Sequence, residues 1–430
     1  MEVLRHSFPS SVPRILEELP ESLDETYERI LKEIRKPNKG HAHRLLQCLV
    51  AAVRPLEVKE LAEVLAFDFN TEGIPKLNLC WRWEDQEEAV MSACSSLVMI
   101  VKDGELRVVQ FSHFSVKEFL TADRLAEPIR DVSLYHIRLE AAHTILVRAC
   151  LGILLQLDDR IDRDRMKNFP LARYAAQYWA RHARVENVTS RIKDGMESLF
   201  DADRPHFATW LWIFNEEKPW GRPMSAMRPG KPNTVPLYYA AMLGFRDLAE
   251  HLIVKHPEHV NACGGFEATP LHVAASAGHS DILSLLIEHG ADVNGRRRDG
   301  DTPLHRASEK GRLEAGQLLL NLGADIDVQT EGRSTVLTRA ANRGHVEFAR
   351  MLLDRGAMVD APGYLGRTPL HWATLGRRTE VVRLLLERSA DAHVRDENGK
   401  TPFELASIYG YHEIVELMSG CDARLSKTNT

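Results

Sequence analysis

Across the last two hundred residues, apolar clusters return at a fixed step. Leu285-Leu286-Ile287, Leu318-Leu319-Leu320, Leu352-Leu353 and Leu384-Leu385-Leu386 each follow a shorter, milder apolar stretch, such as Leu304 to Ala307. The pattern predicts a short helix, a turn and a second helix, repeated. Thr269-Pro270-Leu271-His272 heads one unit and returns 33 residues on as Thr302-Pro303-Leu304-His305. It comes back as Thr368-Pro369-Leu370-His371, and in altered form as Thr335-Val336-Leu337-Thr338 and Thr401-Pro402-Phe403-Glu404. An earlier copy, Val235-Pro236-Leu237-Tyr238, lies 34 residues before the first. The threonine is placed to cap the short helix, and proline follows where a missing N–H costs nothing. Gly278, Gly311, Gly344 and Gly410 end that helix, where positive φ is needed. Ala307 and Ser308 are small enough to let neighbouring helices approach.

A 33-residue period headed by this tetrapeptide resembles the ankyrin repeat, so about six repeats are expected over residues 234–430. One such unit cannot bury its own apolar face, and stacking is obligatory. The repeated histidines, His272, His305 and His371 in the tetrapeptide and His279 and His345 after the glycine, are expected to hydrogen-bond within the turns and not to gather around a metal. Contact residues are expected at the turn tips and at the ends of the short helices. These are Phe266, Arg298, Asp301, Tyr364, Leu365, Arg367 and Lys400 at the tips, and Lys310, Arg343 and Leu375 at the helix ends. Aromatic and arginine side chains are the usual anchors of protein interfaces, which singles out Phe266, Arg298, Arg343, Tyr364 and Arg367. Arg296-Arg297-Arg298 reads either as a solvated tip or as an anchor for an acidic partner. Trp372 reads as packing.

The first half has a different rhythm. Ser22-Leu23-Asp24-Glu25 is a capping box, and Leu23, Tyr27, Ile30, Leu31 and Ile34 share one helical face within a helical linker over 1–40. Pro37-Asn38-Lys39-Gly40 is expected to stop that helix. In 41–126, helices are expected at Arg44–Val53, Val58–Phe67 and Gln86–Ser95. A hairpin follows, Leu97 to Val101 and Leu106 to Phe111, turning at Asp103-Gly104. Three helices and then a hairpin is the winged-helix order. Residues 127–218 read as all-helical, at Val132–Gln156, Leu171–Arg184, Val188–Phe200 and Pro205–Phe214, with Tyr174, Tyr178, Trp179, Trp210 and Trp212 in the core. A Pro/Gly-rich linker spans 219–233. The expected class is therefore mainly α: a winged-helix-like unit and a helical domain ahead of a solenoid.

Charge narrows the function. The net charge is −6, which favours neither nucleic acid nor an anionic membrane. Winged helices that bind DNA push their third helix into the major groove. Here Glu84, Asp85, Glu87 and Glu88 lead that helix, and the unit carries nine Lys/Arg against thirteen Asp/Glu. DNA binding is not expected. The six cysteines include no C-x-x-C pair, suggesting reduced thiols and a cytoplasmic protein. The apolar window Ala141 to Leu157 contains His143 and Arg148 and is expected to be a buried helix, not a bilayer span. Neither Ser112-His113 nor Cys150 forms a nucleophile–base pattern, so no enzyme and no cofactor are expected.

Longer motifs carry a family resemblance. Leu19 to Leu31 (LPESLDETYERIL) resembles the segment that follows the NACHT nucleotide-binding domain in fungal NACHT–ankyrin proteins. Arg54-Pro55-Leu56 leading into Glu60-Leu61-Ala62-Glu63 is similar, as are Phe111 to Leu120 and Pro170 to Trp179. These families are STAND signalling NTPases, built like NOD-like receptors. The resemblance implies a switch locked by ADP, with the repeats sensing a ligand or holding the closed state. No Gly-x-x-x-x-Gly-Lys-Ser/Thr loop is present, so ATP hydrolysis is not carried across. The chain is expected to begin where the ATPase would have ended, through biology or a truncated gene model. The resemblance makes His113 a contact to bound ADP. In this chain it reads either as a structural histidine at the hairpin-to-helix junction or as a docking point for a separate NACHT protein. Two readings follow: an interaction scaffold or sensor using the concave ankyrin face, or the lock-and-sensor half of a NACHT switch.

Overall fold

The structure, a computed structural model, describes residues 22–71, 73–127, 132–216, 232 and 234–428. The expected linker 219–233 and the motif's start at Leu19 lie almost wholly outside them. The chain divides into two compact units, Met1–Lys231 and Pro232–Thr430.

In the first unit, Ser22 caps α1 (Leu23–Glu33) by accepting the Glu25 N–H at 3.2 Å. Tyr27, Leu31 and Ile34 are buried, whereas Leu23 is exposed, so the buried face begins one turn later than expected. α1 ends at Glu33, ahead of this segment, and Pro37 sits early in a 3-10 turn, Lys36–Asn38, that runs into α2 (Lys39–Ala51). Its missing N–H is tolerated there as at a helix start.

The winged-helix order is present. β1 (Leu56–Glu57) leads into α3 (Val58–Glu63), and β2 (Phe67–Asp68) pairs with β3 (Lys76–Leu77). Then come α4 (Gln86–Cys94), β4 (Val98–Asp103), β5 (Leu106–Phe111) and α5 (Phe114–Thr121). The hairpin closes at Asp103↔Leu106 with Gly104 at φ 61. β1 adds a third strand beside β5, Leu56↔Val109, which two residues of sequence are too short to announce. α3 ends before Phe67 because that residue enters β2.

Buried carboxylates set the geometry of α3. Glu60 accepts the Glu57 N–H at 2.8 Å and takes both ends of the Arg54 guanidinium, at 2.7 and 2.8 Å. Glu63 accepts Arg82 and, at 2.8 Å, the backbone N–H of Leu171. The Arg54 and Glu60–Glu63 motifs are thus spent on structure. Leu171 opens a helix of the following segment. That segment comprises α6 (Leu139–Leu154), α7 (Arg163–Met166), α8 (Leu171–Ala183), α9 (Lys193–Leu199) and α10 (His206–Glu216). Tyr174 ties it again: its hydroxyl accepts the Val53 N–H at 3.1 Å and donates to His182 Nε2 at 2.9 Å. These bonds draw 41–126 and 127–218, expected as separate domains, into one body. Trp179 and Trp210 meet edge-on in its core, 6.0 Å between centroids. Tyr178 is only half-buried. α6 is the expected buried helix, and no described helix is long and apolar enough to cross a membrane.

The second unit holds six helix pairs: α11 (Pro236–Leu243) with α12 (Arg246–Lys255), α13 (Pro270–Ala277) with α14 (Ser280–Glu288), and α15 (Pro303–Lys310) with α16 (Leu313–Asn321). Then follow α17 (Val336–Arg343) with α18 (Val346–Asp354), α19 (Pro369–Leu375) with α20 (Thr379–Glu387), and α21 (Pro402–Ile408) with α22 (His412–Thr428). Each His of the tetrapeptide works twice. His305 Nδ1 accepts from the Thr302 N–H and hydroxyl, at 3.3 and 3.0 Å, while Nε2–H donates to Ser334 O at 3.0 Å in the next repeat. His272 reaches Asp301 O and His371 reaches Lys400 O in the same way, both at 3.1 Å. The residue after the short helix ties backwards: Arg312 to Ser276 O, His345 to Glu309 O, Arg378 to Asn342 O.

Candidate functional site

Ion pairing decides which of the expected contact residues remain available. Asp301 is fully buried and is not a contact residue. Arg339 grips it with both guanidinium ends, and Arg297 and Arg306 lie 3.8 Å away. Burial pushes its carboxyl up, and Arg339 works against that. Arg367 is likewise committed inside the stack. It pairs at 3.1 Å with buried Asp396 and lies over the Trp372 indole at 5.5 Å. Both partners lie about one repeat away, 38 and 29 residues off, and sequence neighbours gave no sign of them. In the arginine run, Arg296 donates to Gln329 O at 2.7 Å and Arg297 pairs with Asp299 and Asp301. Arg298 stays exposed, as do Lys310 and Lys400. Leu365 and Leu375 are half-buried, Leu365 at φ 58. The side chain of Phe266 lies outside the described residues.

Arg343 and Tyr364 do come together. They line a cavity of about 260 Å³ with Glu309, Ser334, Thr338, Arg339, Asn342 and Trp372. α15 supplies Glu309, α17 supplies Thr338 to Arg343, the tip before α19 supplies Tyr364, and α19 supplies Trp372. Glu309 accepts Arg306 at 2.7 Å, Arg343 at 2.8 Å and Arg339 at 3.3 Å. Burial opposes its charge, but these arginines prevail and hold its carboxyl below the usual range. Trp372 and Arg339 belong to this wall although the sequence marked neither as a contact. Their signal was the place of each on the short helix beside a tetrapeptide, a position that faces the preceding repeat.

His113 caps α5. Its Nδ1 meets the Ser115 hydroxyl at 2.6 Å and accepts the Ser115 N–H at 3.3 Å; that hydroxyl also bonds Tyr27 at 2.8 Å. The imidazole is exposed against Phe114, itself 72% exposed. Ser112 donates to Leu97 O at 3.2 Å. Cys150 is buried, which pushes its thiol well above the ordinary range. Neither side chain is poised as a nucleophile. Among the described residues, His256, Glu258 and His259 bring donor atoms within 4.8 Å of one another. Tetrahedral zinc needs its donors roughly 3.3 Å apart, a spacing met at His256–Glu258, 3.3 Å, and exceeded at His259–Glu258, 3.9 Å.

Arg367→Ala should destabilise the repeats by about 1–3 kcal/mol, since Asp396 keeps only its backbone donors Asn398 and Lys400. Tyr364→Ala should change the urea midpoint hardly at all. A reversed ranking in urea melts would show that Arg367 is a surface residue after all.

Comparison with known proteins agrees with this architecture. Ankyrin repeats match residues 237–330 and 337–429, and the winged-helix domain of GPI inositol-deacylase matches 27–129. A Monascus ruber protein, azaphilone pigments biosynthesis cluster protein L, is 32% identical over 290 residues, 64% of this chain. The match spans 60% of that relative's length. The chain thus carries ankyrin repeats preceded by a winged-helix domain.

Proposed function

We propose that the chain is an interaction protein that holds a partner protein against the concave ankyrin face around Arg343, Tyr364 and Trp372, with no catalytic step of its own. One observation carries the reading: this cavity gathers an exposed aromatic ring, an indole and a half-solvated arginine, the side chains that anchor interfaces. Solenoids present such residues from successive units on one continuous surface. Capture from an extract of the source cells with the full chain should retain at least one protein that Tyr364→Ala and Arg343→Ala lose. An identical captured set for all three chains would reject the reading.

A second reading makes the first unit the lock of a NACHT NTPase, acting in cis or in trans. It is favoured by the winged-helix match and by the exposed His113 and Phe114 at the N-terminus of α5. A captured NACHT protein, lost with His113→Ala but kept with Tyr364→Ala, would select it.

A further inference from the structure

Resting on the concave-face reading, we infer that the cavity bounded by Glu309, Arg343, Tyr364 and Trp372 takes a single carboxylate, from a Glu or Asp side chain of the partner.

The donors and acceptors around the cavity are out of balance. Its one carboxylate, Glu309, already serves three arginines. Arg343 spends one N–H on Glu309, and its side chain is 55% exposed. The Trp372 indole N–H is shut off from water and has no hydrogen-bond partner. A buried unpaired donor costs about 1–3 kcal/mol, and one that persists calls for an explanation. The Tyr364 hydroxyl, the Asn342 amide and the Ser334 hydroxyl are bonded to nothing described. The cavity therefore presents the donors of Arg343, Asn342, Tyr364 and Ser334, the buried indole N–H excepted, with no spare anionic acceptor, and its complement is a group made of acceptors.

Charge selects among such groups. Arg306, Arg339 and Arg343 stand against the carboxylates of Asp301 and Glu309, which leaves the cluster a surplus of one positive charge. That suits a monoanion. A phosphoryl group brings close to two negative charges at neutral pH and would set the second against Glu309. A carboxylate also matches the free edge of the Arg343 fork. Tyr364 and the indole, steadied by the Arg367 guanidinium, flank the space for the methylene stem.

A random dodecapeptide library displayed and selected on the full chain tests this. Enriched peptides are remade with each acid changed to Gln or to phosphoserine. They are titrated by anisotropy against the wild-type, Arg343→Ala and Tyr364→Ala chains. One acid should matter: its exchange for Gln should weaken binding about ten-fold or more, and should have little effect on Arg343→Ala, the coupling expected of direct partners. If the Gln exchange weakens binding equally on both chains, the carboxylate is not held here. The concave-face reading then still stands, provided Tyr364→Ala loses the peptide. Peptides indifferent to both substitutions, or no enrichment, would overturn both readings. Tighter binding of the phosphoserine peptide would give the cavity to a phosphoryl group and overturn the carboxylate. Arg343→Lys, which keeps the charge and loses the fork, replaces Arg343→Ala if that chain does not fold.

Discussion

Lowering the pH from 7 to 4 should remove on the order of 6 kcal/mol from the ankyrin stack through two histidines alone, His272 and His305. Each must be neutral to do its work. Nε2–H donates to a carbonyl of the next repeat, while Nδ1 accepts the threonine N–H, at 3.2 Å from Thr269 and 3.3 Å from Thr302. A proton on Nδ1 would confront that N–H. Burial pushes both rings down to about 4, against about 6.5 in the unfolded chain. Between those values the unfolded chain takes up protons that the folded chain refuses. The contribution is complete above pH 6.5 and is lost as pH falls toward 4, at about 3 kcal/mol per ring. Other groups also titrate there, so the test is a difference. The fourth repeat already carries a threonine in this slot, Thr338, bonded to Thr335 at 2.9 Å. A chain with His272→Thr and His305→Thr should be weaker at pH 7 but far less sensitive to acid. Parallel urea midpoints for the two chains from pH 7 to 4 would sink the argument.

Arg339→Ala should cost about 3–5 kcal/mol, because it strands a buried carboxylate. Asp301 has 1% of its side chain exposed and keeps only Arg297 and Arg306, each 3.8 Å off. In a unit of this size the loss corresponds to a fall in Tm of roughly 10 °C. Arg339→Lys should recover only part of it, since an ammonium cannot grip both oxygens. Removing both charges with Asp301→Asn and Arg339→Leu should cost less than Arg339→Ala alone. Thermal melts followed at Trp372, which is the tryptophan of the repeats, read all three. A loss below about 1 kcal/mol for Arg339→Ala would mean that water reaches Asp301.

The repeats were legible because period, cap and glycine all pointed to one structure. The tetrapeptide fixed where each short helix begins, and the histidines' bonding followed from their slot. In the first unit, the Ser22 cap and the Asp103-Gly104 turn were equally direct. What sequence hid was long-range pairing. Asp301 stands at a turn tip, where a carboxylate is ordinarily solvated; only the fold brings Arg339 over it. Arg367 looked like an anchor for the same reason until Asp396 came beside it. Leu171 gave no hint that a glutamate 108 residues earlier would hold its amide, and so the join between two expected domains was missed.

Thr338 has one more effect. In the second, third and fifth repeats a histidine at this slot reaches forward to the following repeat, but Thr338 closes on Thr335 and stops there. A solenoid behaves as a row of units coupled to their nearest neighbours, and here one coupling of the row is shortened. Subglobal opening should therefore break the row at this seam, releasing the last two repeats as a block before the middle ones loosen. The same seam lies along the cavity wall, so a partner seated across Arg343, Tyr364 and Trp372 would act as the missing splice. Occupancy of the groove would then be legible at a distance, as slowed amide exchange in α19 to α22, and the stack would report binding through its own mechanical continuity.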